Sequence, residues 1–463
     1  MTAWLEWLVL ATGRELLLFA SVGILVIGVD DLLFDALWLA CRRRIASSAA
    51  REETAPPLGG RLAVFIPAWD EAAVLPGMLR RTLAAWQGED IRLYVGCYPN
   101  DPATVAAVTP LTGQDARLRL VVGPADGPTT KGDNLNSLWA ALRADERAEG
   151  MRFAAVVLHD AEDHVHEGEP ALYRRHLVHH AMVQIPVVPM IGSQARWVGG
   201  HYGDEFAEAH GKELPLRSAL GLPIPSAGVG CALTRAAVAR LAAERGGRPF
   251  RADSLTEDYE IGMLIGAYGL GSRFVDAVDR TGGRIVSRGE FPARLEPAVR
   301  QKARWIAGIA LAGWDYLGWP NRRGAAAYER RRVGWLARWM LWRDRRAPIA
   351  AAVLFAAYLG TAATLLGAAG QALLGWHAPD MGQGLRLTAG AGAMLLLWRL
   401  AMRAAFTARS HGWREALCAV PRVFIANMIA ILAVRRAVAL YWRMVRSGVV
   451  VWDKTAHSGA VFA

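Results

Sequence analysis

Thirty consecutive positions, Ala347 to Trp376, carry no charged side chain. That exceeds the roughly 20 residues a helix needs to cross the hydrocarbon of a bilayer. Arg343, Arg345 and Arg346 precede the run, and Trp376 and His377 close it. A second apolar run, Leu387 to Phe406, contains Arg399 and Arg403, four apart on one helix face. Near the far end of that run, both arginines can snorkel to the arginine-rich side from which the first span starts. Residues 347–406 are therefore expected to form a transmembrane hairpin with both feet cytoplasmic.

The N-terminal region repeats the theme. Leu16 to Val29 is apolar, and Asp30, Asp31 and Asp35 follow at helical spacing before Arg42, Arg43 and Arg44. Residues 1–46 are expected to span the membrane and continue as an amphipathic helix on its cytoplasmic surface. The three acids read there as solvated helix-end groups rather than as a functional pair within the membrane. The start lacks a basic region and a small-residue cleavage site, so a cleaved signal peptide is not expected. In residues 407–463, Arg422 leaves only Val423 to Val434 uncharged, too short a stretch to span, and an interfacial helix with a cytoplasmic tail is expected. Residues 311–346, with Trp314, Trp319, Trp335 and Trp339 among arginines, also read as interfacial helices.

Composition agrees with this division. At 53% hydrophobic and 21% charged, the chain is too apolar for an ordinary soluble enzyme and too charged for a bundle of spans alone. The net charge of +11 is uneven: residues 321–463 hold 20 Lys and Arg against 5 Asp and Glu, leaving residues 1–320 at −4. Arginine and tryptophan interleaved with apolar runs fit a membrane face, and a nucleic-acid partner is excluded. Cys41, Cys97, Cys231 and Cys418 are scattered without metal-like spacing and read as reduced thiols.

Between the polar linker Ser47–Gly60 and residue 310 lies a soluble domain. Arg61–Pro67, Ile91–Cys97, Leu118–Val122 and Phe153–Leu158 are short β-type runs separated by helical patterns. The fold class expected for 47–310 is α/β, a mainly parallel, helix-covered sheet with ligands near the carboxyl ends of its strands. Asp160, Glu162 and Asp163 sit just past the fourth run. Oxygen-only ligands of this kind suit Mg²⁺ or Mn²⁺ beside phosphates, although a solvated acidic turn has the same composition. His159, His164 and His166 flank them, but no fourth zinc ligand is evident. Further on come Thr256-Glu257-Asp258 and Gln301-Lys-Ala-Arg304-Trp305, an acidic pair ahead of a box able to bind anions and stack on a ring.

These pieces occur in an informative order: Val64-Phe-Ile-Pro67 with Asp70-Glu71, Lys131-Gly-Asp-Asn-Leu-Asn136, Asp160-Ala-Glu-Asp163, Thr256-Glu-Asp258 and Gln301-x-x-Arg304-Trp305. The series resembles the membrane-bound family-2 glycosyltransferases of GT-A fold, the group that includes bacterial cellulose and hyaluronan synthases. Tyr98-Pro-Asn-Asp-Pro-Ala-Thr104, Tyr202-Gly-Asp-Glu-Phe-Ala-Glu208 and Val451-Trp-Asp-Lys-Thr-Ala-His457 look most like the phage adsorption protein B subgroup. The chain departs from the group in having Glu162 where Asp is usual and Tyr98-Pro-Asn-Asp101 where many members carry Asp-Asp-Gly.

The resemblance implies an inverting transfer of a sugar from a nucleoside diphosphate, UDP by preference, to a growing glycan at the inner membrane of a bacterium. Asp258 would be the base, with Glu257 and Thr256 beside it. Mg²⁺ or Mn²⁺ would sit on Asp160 and either Glu162 or Asp163. Pro67, Glu71, Asp101, Lys131, Asn136, Gln301 and Arg304 would line the donor site. Trp305, Gly228, Gly230 and Trp452 would meet the acceptor, although Trp305 also reads as an interfacial anchor and the Gly228–Gly230 segment as a tight turn. The implied partners are a nucleotide sugar, a glycan or lipid-linked acceptor, membrane lipid and an outer-membrane export partner. Single-sugar transfer to a lipid carrier is the rival activity, and a non-catalytic scaffold for secretion or phage entry the rival class.

Overall fold

The computed structural model describes residues 2–50, 56–318, 331–377 and 382–448. The tail carrying Trp452 lies outside the described residues. Among the described residues there are nine strands: β1 (Leu62–Pro67), β2 (Ile91–Cys97), β3 (Leu118–Val122), β4 (Ala155–Leu158), β5 (Met182–Gln184), β6 (Val187–Met190), β7 (Cys231–Thr234), β8 (Ser272–Phe274) and β9 (Ser287–Glu290). Seven make one sheet in the order β3-β2-β1-β4-β7-β5-β8, and β6 pairs with β9 in a separate ribbon. β1 pairs parallel with both β2 and β4, β2 with β3, and β5 with β8. β7 runs antiparallel between β4 and β5. The sheet is thus mostly parallel, as expected.

Both faces of the sheet are covered, which is why β1 and β4 are buried at every position. Leu62, Val64 and Ile66 pack with Leu75, Met78, Leu79 and Trp86 on one side. Ala63 and Phe65 pack with Leu135, Leu138 and Trp139 on the other. The period-two alternation of the strand assigns each side chain to one layer.

Among the described residues four helices are long and apolar enough to cross a membrane, within Trp4–Ala46, Ala347–Leu374, Gly382–His411 and Trp413–Ser447. The first belongs to a single helix, Thr2–Ala50, where a span followed by a separate surface helix was expected. It packs along Ala347–Leu374 through small residues: a Cβ added at Gly23 would lie 2.5 Å from Val353 Cγ2, and one at Gly13 3.1 Å from Ala363 Cβ. Close backbone approach replaces the hydrophobic drive that lipid cannot supply between helices. Helix Trp413–Ser447 is continuous over 35 residues. Its length and composition admit a crossing that the twelve uncharged positions after Arg422 do not. Arg422 itself has no side-chain exposure and turns inward onto Asp204 and Glu415, at 3.3 and 3.1 Å.

The acids of the N-terminal helix are not solvated, contrary to the sequence reading. Asp30 pairs with Arg343 and Arg346, both at 2.5 Å, and Asp31 with the same two arginines at 2.9 and 2.5 Å. Arg399 Nε lies 3.3 Å from Asp31, so this arginine is paired inside the protein rather than snorkelled to the surface. Asp35 is fully buried, ion-paired to Lys212 and bonded by Trp398 Nε1 at 2.8 Å. Periodicity along one helix cannot register cations more than 150 positions away.

Removing one partner of a desolvated pair strands the other. Arg422→Met should therefore cost about 3–5 kcal/mol, seen as a lower melting temperature of the detergent-solubilised protein. Adding Asp204→Asn to it should recover most of the loss. A double variant less stable than Arg422→Met alone would contradict the pairing.

Candidate active site

The carboxyl ends of β1 and β4 face an open cleft. It is lined by Pro67, Glu71, Lys131, Asp160, Glu162, Asp163, Thr256, Glu257, Asp258, Gln301, Arg304 and Trp305 among others. Twelve of the residues singled out in the sequence thus meet in one place, drawn from segments as distant as 67 and 305.

The acidic turn after β4 is held from behind. Asp163 is buried, accepts a hydrogen bond from the Asp160 backbone N–H at 3.1 Å, and lies 2.8 Å from His159 Nδ1. His159 Nε2 lies 3.1 Å from Glu169, which also accepts from Tyr173 Oη at 3.0 Å. Burial opposes a charge on this imidazole, but the two flanking carboxylates outweigh it and lift its pKa to about 10. Asp163 is thereby occupied inside the fold. Asp160 points outward and meets Lys131 Nζ at 2.6 Å. Burial, and then the charges of Asp160, Asp163 and Glu71, push the Glu162 carboxyl well above its ordinary range. Crowded carboxylates of this kind are what a cation relieves. Among the described residues no three His, Cys, Asp or Glu side chains form a preformed metal cage. Asp160 and Glu162 suit a divalent ion such as Mg²⁺ that takes one or two carboxylates and completes its shell with water and substrate phosphate.

Helix Glu257–Ala267 begins at this cleft with Glu257 and Asp258 in its first turn, where the helix dipole favours negative charge. Burial and then Asp258 raise Glu257 to about 7, against the pull of Lys131. Burial also raises Asp258 from its ordinary value, opposed by Lys131. Asp258 Oδ1 accepts from the Tyr259 N–H at 2.7 Å. Its other oxygen packs on Gly228, where φ is +76° and an added Cβ would lie 2.5 Å from Oδ2. Thr256 Oγ1 and Gln301 Oε1, both buried, have no hydrogen-bond partner among the described residues, a costly state that a polar ligand would relieve.

Four expected site residues are placed outside the cleft lining. Asp101 caps helix Pro102–Thr112, accepting from Thr104 N at 3.2 Å, and also accepts from Asp70 N at 2.7 Å. It thereby fixes the turn that carries Glu71. Asn136 exchanges two hydrogen bonds with the Phe250 backbone, at 2.7 and 3.1 Å, and tethers the loop leading to Thr256. Gly228 borders the site through Asp258, whereas a Cβ at Gly230 would meet Ile185 and Ser287, each at 3.0 Å. Conversely, Trp69, Phe206, Glu290 and Phe291 line the cleft and were not singled out. Phe206 and Phe291 meet edge to face with ring centres 5.1 Å apart, and Trp305 lies 6.2 and 6.4 Å from them, so the cleft has an aromatic wall. The Phe in Tyr202-Gly-Asp-Glu-Phe206 was the available signal.

The family model described as Glycosyl transferase family group 2 matches residues 155–371 of this chain. Among individual proteins the chain is similar to Bacteriophage adsorption protein B of Escherichia coli K12, 33% identical over 470 residues. Bacteriophage N4 adsorption protein B of Escherichia coli O157:H7 matches to the same extent. The match covers 94% of this chain and 61% of either relative's length. A solved structure, the mannosyltransferase PcManGT of Pyrobaculum calidifontis with GDP-Man and Mn²⁺, overlays with a TM-score of 0.46 at 15% identity, covering 87% of this chain and 98% of that one. Glucosyl-3-phosphoglycerate synthase of Mycobacterium tuberculosis overlays at 0.34 and 18%, covering 60% and 85%.

Alanine at position 228 would need a left-handed backbone and would press on Asp258. Gly228→Ala should destabilise the fold by about 1–2 kcal/mol and depress sugar transfer well beyond that loss. Transfer rates and melting temperature measured together would check this, and wild-type turnover would refute the contact.

Proposed function

We propose that this chain transfers a sugar, with inversion, from a nucleoside diphosphate donor to a growing glycan at the cytoplasmic face of the bacterial inner membrane. UDP is the preferred nucleotide, and the product is an exopolysaccharide handed to an outer-membrane export partner. The observation that carries the reading is the meeting of Asp258 with Asp160, Glu162, Lys131, Gln301 and Arg304 in one cleft.

Each side chain has a task. Lys131 and Arg304 bind the diphosphate, Arg304 through its bidentate fork. Gln301 Oε1 and Thr256 Oγ1 supply acceptors to donor hydroxyls. Asp258 takes the proton of the acceptor hydroxyl at its carboxylate. Glu257, held close to neutrality by burial and by Asp258, limits the negative charge beside that base. Trp305, Phe206 and Phe291 offer apolar faces for a sugar ring and keep water out. Asp160 and Glu162 would hold Mg²⁺ or Mn²⁺, which when bound would supply Lewis-acid neutralisation of the leaving diphosphate. Asp163 serves as a support bonded to His159 rather than as a ligand. The arginines that flank the spans put the catalytic domain in the cytoplasm.

Asp258→Asn should lower single-turnover transfer by about 10²–10⁴-fold while leaving calorimetric affinity for UDP nearly unchanged. Arg304→Ala should weaken that affinity. Near-wild-type transfer by Asp258→Asn removes the base assignment, and full activity in saturating EDTA removes the metal.

Because Asp258 is raised by burial, a base there is lost to protonation at a higher pH than an ordinary Asp. The acid limb of kcat/KM should lie above the ordinary value for Asp and vanish in Asp258→Asn. A pH–rate profile with its limb at or below pH ~4 would contradict this.

A further inference from the structure

Helix Val198–Glu208 presents three carboxylates in its last two turns: Asp204 and Glu208 are engaged by the membrane-length helices, and Glu205 by the helix that lines the cleft. Asp204 accepts from Thr407 Oγ1 at 3.0 Å and lies 3.3 Å from Arg422 Nε. Glu208 accepts from Arg399 Nη1 at 2.7 Å and Lys212 Nζ at 2.6 Å. Glu205, between them, is gripped through both oxygens by Lys302. Thr407 and Arg399 lie on helix Gly382–His411, and Arg422 lies on helix Trp413–Ser447. Lys302 belongs to helix Leu295–Ile306, which brings Gln301, Arg304 and Trp305 to the cleft.

At 3.6 residues per turn, Lys302 projects about 160° around the helix from Arg304, whereas Gln301 and Trp305 lie within about 60° and 100° of Arg304. The lysine lies about 60° from Trp305 and so holds the flank of the helix away from Arg304. Tyr202, on the same helix as Glu205, adds a second hold. Its hydroxyl donates to Ala298 O at 3.2 Å, its ring meets Trp305 edge-on at 5.7 Å, and Lys302 Nζ lies 5.8 Å from the ring centre. Rotation of helix Leu295–Ile306 would break these contacts together and swing Arg304 across the cleft.

We infer that Glu205 and Lys302 form a positioning pair for the donor site. They set the rotation of helix Leu295–Ile306, and hence the reach of Arg304 and Gln301, relative to a helix fastened to the membrane bundle. The inference rests on reading the cleft as a nucleotide-sugar site. Neither residue touches the cleft lining, so their effect on the reaction passes through Arg304 and Gln301.

The test uses full-length protein in detergent with Mn²⁺ and isothermal titration with UDP and, in parallel, GDP. Lys302→Met and Glu205→Gln should each weaken binding of whichever nucleotide binds wild type by about tenfold, since small displacements of a positioned group have large effects. Melting temperatures should fall by no more than about 4 °C, because a partly exposed pair contributes little stability. The charge-reversed double variant E205K/K302E should recover most of the affinity, which a merely structural loss would not. Lys302→Arg should bind more tightly than Lys302→Met and serves as the reading should Lys302→Met not fold. Wild-type affinity in Lys302→Met, or a reversed pair no better than either single variant, overturns the inference. Arg304→Ala separates the two levels. If it binds like wild type, the donor-site reading fails; if it binds weakly while Lys302→Met binds normally, only the positioning pair fails.

Discussion

Desolvated charge pairing between the catalytic domain and the helical bundle is the interaction on which the architecture depends. Lys212 answers both Asp35 of the N-terminal helix and Glu208 of the catalytic domain. Arg399 joins Glu208 to Asp31, and Arg422 reaches Asp204. Such pairs gain little net stability, because each ion surrenders its hydration. Their value is in register: a helix that slid by one turn would leave several buried ions unpaired at once. Shape sets the distance between helices along the glycine contacts, and charge sets their height.

The cleft depends on this frame and on a second set of bonds that never touch a ligand. Thr130 Oγ1 donates to Ala252 O at 2.6 Å, Asn134 Nδ2 to Gly96 O at 3.1 Å, and Asn136 clasps Phe250. The Lys131–Asn136 segment thus contributes one cation to the cleft, while Asn134 ties it to β2, and Asn136 and the hydroxyl before the segment fasten the loop that ends in Thr256. Acid crowding then does the electrostatic work. Lys131, burial notwithstanding, is raised by Asp160, Glu257 and Asp258, and those acids are held near one another by the fold.

Much of this was legible in the sequence. β1, β2, β3 and β4 were visible as short apolar runs, and the motif order located the cleft because each motif follows a strand or opens a helix. Strands β5 to β9 were not, since three or four residues such as Ser272–Phe274 carry no measurable period. Asp101 and Asn136 were read as donor contacts because motif position says nothing of which way a side chain turns. Asp30, Asp31 and Asp35 were misread for a related reason: their partners lie from 177 to 368 positions away. The break at Arg422 looked like the end of an apolar surface only because Asp204 could not be seen beside it.

The close seam between Thr2–Ala50 and Ala347–Leu374 has a mechanical consequence. Helices that meet through glycine cannot slide lengthwise without driving Val353 or Ala363 into a neighbouring backbone. A bilayer of unsuitable thickness would then be met by tilting the bundle as one body, which costs only fractions of a kcal/mol per Å of mismatch. Lipid thickness would thereby set the attitude of the whole enzyme above the membrane, and with it the angle at which the cleft faces the lipid surface.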